Sequence, residues 1–411
     1  MTKLRILVRE FEGFHRAIRE QAESFRRLEP DAEIEFVSMG LPDLFIEMTD
    51  RQGLSSGAWD IAFVLTDWIP QFHRQHLLGD LRPYVVADPP EDWPQGWPAS
   101  LRGLQEYGGQ LLGLPYHDGP VVLCYRADLF DDAKEQSEFE RRFSKPLRAP
   151  ETWDEFVDVA RFFTRPGDGL HGAAIAAYPD GHNNVYDFLT LLFSHGGKLM
   201  DDSGAFAFRD SAGLEALSYL QDLIWKHRVV PENCFELDSV KSGAFFMSGR
   251  AAMMWNWFGF AAAAHAVPES SIRGKVRCAL APRAGGPRGR HASLNVYWVL
   301  SSAAGSRWPD LAYRFIRHCA SPEMDLVTAR NGAVGTRFST LRNQALLGDL
   351  PMYGILEEAH RIAETLPQVE NFAEIAEILG GAVYNALRHN HAAAEALRTA
   401  SEQLQGIERR H

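Results

Sequence analysis

The stretch LRILVREFEGFHRAIREQAESFRRLEPDAEIEFV, residues 4–37, decides how the chain begins to fold. Leu4 to Val8 is a short apolar run suited to a buried strand. Phe14, Ala17, Ile18, Ala22, Phe25 and Leu28 then recur at helical spacing. Glu29-Pro30-Asp31 stops that helix, and Ile34, Phe36 and Val37 mark a second strand. Leu41 to Thr49 continues as a helix, and Trp59 to Leu65 reads as a third strand ending at Thr66-Asp67-Trp68. Strand, helix, strand, helix, strand predicts a parallel sheet with helices on both faces. In such sheets ligands sit beyond the carboxyl ends of the strands, which directs attention to Arg9–Phe14 and Thr66–Trp68.

Further along, Tyr107 to Tyr116 contains Gly108-Gly109 and predicts a tight hairpin, and Val121 to Tyr125 is an apolar strand. Pro150 to Phe163 reads as a helix with Thr152 as N-cap and Glu155 closing a capping box. Asn184–Phe193, Leu214–His227 and Pro309–Cys319 predict helices, Val296–Leu300 a strand, and the chain beyond about residue 321 is helical. Repeats, low-complexity tracts and long flexible linkers are absent from the sequence.

The 411 residues suggest two or three domains at roughly 150 residues each. With 45% apolar and 23% charged residues, large cores are within reach. A net charge of −12 and scattered Lys and Arg argue against a nucleic-acid partner, which needs a concentrated basic face. No apolar run reaches the roughly 18 residues of a membrane span. The opening MTKLRILV lacks the basic tip, apolar core and cleavage site of a secretory signal, so the sequence fits either a mature exported domain or a cytoplasmic chain. Four cysteines, Cys124, Cys234, Cys278 and Cys319, are too few for a disulfide scaffold, and no CxxC pair suggests a metal site. GxSxG, Walker A, HExxH and GxGxxG motifs are also missing.

Several segments, in fixed order, resemble the family 1 extracellular solute-binding proteins of the maltose-binding-protein type. They are Trp59-Asp60-Ile61 with Trp68, Phe72 and Leu78-Gly79-Asp80-Leu81; Gly109 to Tyr116 followed by Tyr125-Arg126-Ala127-Asp128-Leu129-Phe130; Thr152-Trp153-Asp154-Glu155-Phe156; Ser194 to Asp201; Phe246 to Met254; and Trp298-Val299-Leu300 leading to Pro309-Asp310-Leu311-Ala312 and Ser321-Pro322-Glu323. The resemblance spans residues 4 to about 340. It implies a two-lobed α/β protein that captures a small polar solute, a sugar or sugar derivative, by hinge closure and delivers it to the permease subunits of an ABC importer. It further implies a periplasmic, monomeric protein without cofactor, metal or catalytic residues. The expected N-lobe holds residues 1–118 and 278–320, and the expected C-lobe 119–277 and 321–411. In this fold the crossing segments run side by side. Cys124 and Cys278, placed on them, are then candidates for a bridge, with buried free thiols as the alternative.

A sugar offers an apolar face and a hydroxyl rim, and its receptor needs flat aromatics beside bidentate polar groups. Six clusters supply that pairing: Glu10, Phe11 and Glu12; Asp67 and Trp68; Tyr116, His117 and Asp118; Asn184 and Tyr186; Trp255, Asn256 and Trp257; and Asn295 with Tyr297. Five match segments that face the cleft in the family; the helix start near Asn183 varies between relatives. Trp255 and Trp257, at i and i+2 of an extended segment, should point the same way and form a stacking wall, with Asp67 and Trp68 on the other lobe. Trp298, which shares a face with Val296 and Leu300 on an alternating strand, reads as packing. Arg337 lies where the family often touches ligand, and with Arg9 it would answer a carboxylate on the solute. Carboxylate pairs leave a glycan-acting enzyme as an alternative, and a sensor subunit on the same fold is another.

Overall fold

The computed structural model describes residues 2–408. In chain order the elements that position the site are β1 (Thr2–Arg9), α1 (Glu12–Leu28), β2 (Ala32–Met39), α2 (Leu41–Met48), β3 (Ile61–Leu65), β4 (Leu114–His117), β5 (Val121–Arg126), α3 (Trp153–Phe163), β6 (His171–Ala174), α4 (Asn183–Ser194), β7 (Ala251–Trp257), α5 (Phe258–Ala266), β8 (Val276–Leu280), β9 (Trp298–Ser302), α6 (Pro309–Cys319) and α7 (Pro322–Arg330). They divide between two compact units. Among the described residues the first comprises 2–119, 295–360 and 368–372; the second comprises 120–294, 361–367 and 373–408.

The first unit is built on a five-stranded sheet in the order β2-β1-β3-β9-β4. β1 pairs in parallel with β2 and β3, as the alternation of strands and helices predicts. β9 enters antiparallel between β3 and β4, so the sheet is mixed rather than wholly parallel. α1 buries Phe14, Ala17, Ile18, Ala22 and Phe25, the stripe read from the sequence, while Leu28 at its end stays exposed. The predicted hairpin forms at Glu106–Tyr107 and Gln110–Leu111, and Gly108 and Gly109 supply its positive φ angles of 57° and 80°.

The second unit carries a four-stranded sheet in the order β8-β5-β7-β6. β5 runs antiparallel to both β8 and β7, and β6 is parallel to β7. α3 begins at Trp153 with Thr152 as N-cap, whose hydroxyl accepts the Glu155 N–H at 3.2 Å. Glu155 reaches back to the Glu151 N–H at 2.9 Å, one residue before the position of a standard capping box.

The expected division is corrected at its second boundary. β8 is hydrogen-bonded to β5 along its whole length, so residues 278–294 belong to the second unit, and the chain returns to the first only at Asn295. Residues 321–360 also stay with the first unit, because α7 packs against α1: the buried Gln21 amide donates to the Met324 carbonyl at 3.0 Å and to the Thr328 hydroxyl at 2.9 Å. Cys124 and Cys278 therefore lie on neighbouring strands of one sheet and not on segments joining the units. All four cysteines are free.

Candidate functional site

In the first unit, β1, β3 and β4 are parallel to one another and end at one edge of the sheet. β9, running the other way, begins there, with Trp298 in register with both Leu65 and His117. That edge gathers most of the first unit's candidates. Glu10 and Glu12 are exposed, Phe11 is half-buried, and Asp67 is buried in the single turn Thr66–Trp68 that follows β3.

The pairing of β9 with β4 skips Tyr116, which makes a bulge beside the site. The bulge breaks the alternation of side chains, and Tyr116 and His117 both lie against Phe14 of α1, at ring separations of 6.0 and 4.8 Å. Tyr116 is buried and donates its hydroxyl to Gln21 at 2.9 Å, so it is packing rather than a ligand contact. His117 is different. Its Nδ1 accepts the Val334 N–H at 2.8 Å, which fixes the proton on Nε2 and makes that nitrogen a donor. Burial pushes its pKa down to about 3, so the ring is neutral at any physiological pH.

Asp118 follows immediately, with its side chain fully buried. Neither carboxylate oxygen meets a side-chain donor in good hydrogen-bond geometry. Burial raises its pKa to about 8, opposed only by the Gly119 amide. His360 Nδ1 lies 3.4 Å from Asp118 Oδ2 and 3.0 Å from the Ser100 hydroxyl; burial lowers this imidazole to about 4. Asn295 donates to the Ser100 carbonyl at 2.9 Å and keeps its own buried oxygen unpaired. Asp118, Asn295 and His360 are each at or next to a point where the chain passes between units, yet all three belong to the first.

Three other expectations in this unit are corrected. Tyr297 is wholly buried and donates its hydroxyl to Gln105. Trp68 is buried among Phe45, Phe72 and Trp298, with ring separations of 5.2, 5.8 and 6.0 Å. Arg337 is only 1% exposed. Its guanidinium donates to the carbonyls of Ala320 and Glu91 at 2.9 and 2.8 Å and lies over the Trp97 ring at 4.2 Å. A guanidinium so engaged has no fork left for a carboxylate.

In the second unit, β7 ends at Trp257, and Trp255 and Trp257 do not form one wall. Trp255 is 1% exposed and packs on Trp153 and Phe156 at 5.2 and 5.3 Å, under α3. Trp257, half-buried, meets Tyr186 edge to face at 5.6 Å, and Tyr186 meets His182 at 5.4 Å. Asn256 is spent internally, donating to the Ser239 carbonyl at 3.1 Å and accepting the Trp257 N–H at 2.8 Å. Asn184 is buried and ties α4 to the Gly380 carbonyl at 2.8 Å. The polar neighbour of the aromatic pair is instead Asn183, 3.5 Å from the Trp257 indole nitrogen and itself held by Asp180. Asp187, on the same helix, is buried, and that burial raises its carboxyl well above the usual range.

Sequence reasoning placed Asn183 beside Asn184 in one cluster but missed Asp180 and His360. Asp180 sits four residues from Asn184. His360 carries no local signal, because its partners Asp118 and Ser100 are more than 200 residues away in the chain.

Two α/β units, each presenting polar and aromatic residues at strand ends, fit the class of solute-binding proteins. The chain belongs to the bacterial extracellular solute-binding protein family, whose profile matches residues 7–325. It is 25% identical over 370 residues to a probable ABC transporter-binding protein of Deinococcus radiodurans, covering 88% of this chain and 83% of that one. It is 26% identical over 282 residues to a mannitol-binding protein of Pseudomonas aeruginosa, covering 66% and 60%. Among solved structures, maltose-bound MalE3 of T. maritima superposes with a TM-score of 0.87 at 24% identity, over 99% of this chain and 100% of that one. A solute-binding protein of Agrobacterium radiobacter in complex with ribitol gives 0.85 at 21% identity, over 99% and 98%. Among the described residues no helix is long and apolar enough to cross a membrane, and no cluster of three or more His, Cys, Asp or Glu residues could hold a metal.

Proposed function

We propose that this protein captures an uncharged polyhydroxylated solute, a sugar or polyol, for an ABC importer, closing its two units on the solute without chemical turnover. The observation that carries the reading is the pair His117–Asp118: a neutral imidazole locked as an Nε2–H donor beside a fully buried carboxyl whose neighbouring polar groups are the Gly119 amide and, at 3.4 Å, the His360 ring. A hydroxyl is both donor and acceptor and so answers both groups. Half-buried Trp257, backed edge to face by the buried Tyr186, offers the flat apolar surface that the ring or carbon chain of such a solute needs. The names of relatives that bind mannitol and arabinooligosaccharides point the same way.

The charge state of the solute follows from Arg337. With its guanidinium sequestered inside the first unit, one of the two expected counter-charges for a carboxylate is lost, His117 cannot supply one, and half-buried Arg9 at the end of β1 is the cation left. Neutral solutes are therefore favoured over sugar acids and opine-like solutes. A periplasmic or cell-surface location and permease subunits as partners follow from family membership.

A thermal-shift screen tests this. Mono- and disaccharides, polyols and the matching uronates are compared at equal concentration. A true ligand at a thousandfold excess over its Kd stabilises by about 4 kcal/mol, a shift of several degrees. Stabilisation by uronates but not by neutral sugars or polyols would refute the reading. Slow release of product from the stabilising ligand would favour a glycan-acting enzyme instead.

A further inference from the structure

The pair of thiols in the second unit's sheet is not used by solute binding. Cys124 on β5 and Cys278 on β8 are directly opposite residues of an antiparallel pair, and their sulfurs are 3.9 Å apart. Opposite residues on such strands have Cα atoms about 4.5–5.5 Å apart and side chains on the same face. Both spacings fall within the span of a disulfide, which needs Cα atoms about 4.4–6.8 Å apart. Rotation about the side-chain bonds can then close the remaining gap without moving the strands.

Position in the sheet sets the order of events. β8 is an edge strand, with β5 as its sole neighbour in the sheet. Cys278 is partly exposed, whereas Cys124 is fully buried. The family is extracellular, and thiols in that setting meet an oxidising environment. We propose that Cys124 and Cys278 form a cross-strand disulfide in the mature protein, made by exchange with a disulfide oxidant of the glutathione or thiol-oxidoreductase class.

The exchange balances in two steps. The Cys278 thiolate attacks one sulfur of the oxidant, forming a mixed disulfide and releasing the other sulfur as a thiolate. The Cys124 thiolate then attacks the Cys278 sulfur and releases the second half of the oxidant. Two protons and two electrons leave the protein, and one oxidant disulfide becomes two thiols. Burial and the adjacent Cys124 raise the Cys278 thiol well above its ordinary value, so exchange on the folded chain is slow and accelerates with pH. The product pins an edge strand that is otherwise held by hydrogen bonds on one side only.

The test uses the full chain in two arms. In one, reduced and denatured protein is refolded in a glutathione redox buffer, where the strands meet while their thiols are accessible. In the other, folded protein is incubated with oxidised glutathione at alkaline pH. Both are alkylated in denaturant without reductant and weighed. The expected result is alkylation of Cys234 and Cys319 alone, a mass lighter by two hydrogens, and a peptide pair joining Cys124 to Cys278 that vanishes on reduction. Cys278→Ser should free Cys124 for alkylation and leave neutral-solute affinity within about twofold of the parent. Four alkylated cysteines in the refolding arm, or a bond with any other pairing, would overturn the proposal.

Discussion

Replacing Asp118 by Asn keeps the shape of the side chain and removes its charge. The buried carboxyl has a pKa of about 8 in the folded protein against an ordinary value of 3.8. A group raised in this way favours its neutral form on folding. The folded state holds a proton that the unfolded state has lost between about pH 4 and 8, so stability falls as pH rises through that window. The full cost, reached above about pH 8, is on the order of 5 kcal/mol. Asp118→Asn removes it. Above pH 8 the variant should melt on the order of 10 °C higher than the parent without ligand, while at pH 4 the two should coincide within a few degrees. The same variant should bind its solute only a few-fold to about tenfold more weakly at pH 7, since the carboxyl is then largely protonated and a neutral hydrogen bond is worth roughly 0.5–1.5 kcal/mol. Differential scanning fluorimetry from pH 4 to 9 and titration calorimetry at pH 7 supply both readings. Parallel pH–stability curves for parent and variant would refute the reasoning, because Asp118 would then be an ordinary solvated carboxylate.

Two further substitutions separate packing from binding. Trp255→Ala should destabilise the second unit by about 3–5 kcal/mol, whereas Trp257→Ala should cost less stability but weaken neutral-solute binding by tenfold or more, measured by urea denaturation and calorimetry on both variants. Arg337→Met should lower the melting temperature markedly, because it strands the carbonyls of Ala320 and Glu91, and should not change the preference for neutral over anionic solutes; a gain in uronate binding, or unchanged stability, would count against the internal role.

Much of the local structure in both units was legible because its rules are local. The apolar stripe of α1 follows directly from 3.6-residue periodicity, and the N-cap at Thr152 follows from one hydroxyl and its neighbour three residues on. What escaped is non-local or irregular. The bulge at Tyr116 turns two successive side chains to one side, and a period-2 reading cannot foresee it. Trp255 and Trp257 do occupy alternate positions of one strand, but the strand leaves α3's cover between them, so only the second emerges. Arg337 looked like a free cation because its carbonyl partners at Glu91 and Ala320 carry no sequence signature. The second boundary was misplaced because β8 reads as an apolar strand wherever it pairs, and nothing local says that its neighbour is β5.

The insertion of β9 between β3 and β4 has a consequence for how the chain is born. Synthesis reaches β4 well before β9, and in that interval the inner edges of β3 and β4 have no strand to pair with. The first unit's sheet cannot close until about 300 residues have been made, and by then the whole of 120–294 has emerged. The same delay leaves two apolar strand edges exposed to neighbouring chains, making this interval the point at which aggregation competes with folding.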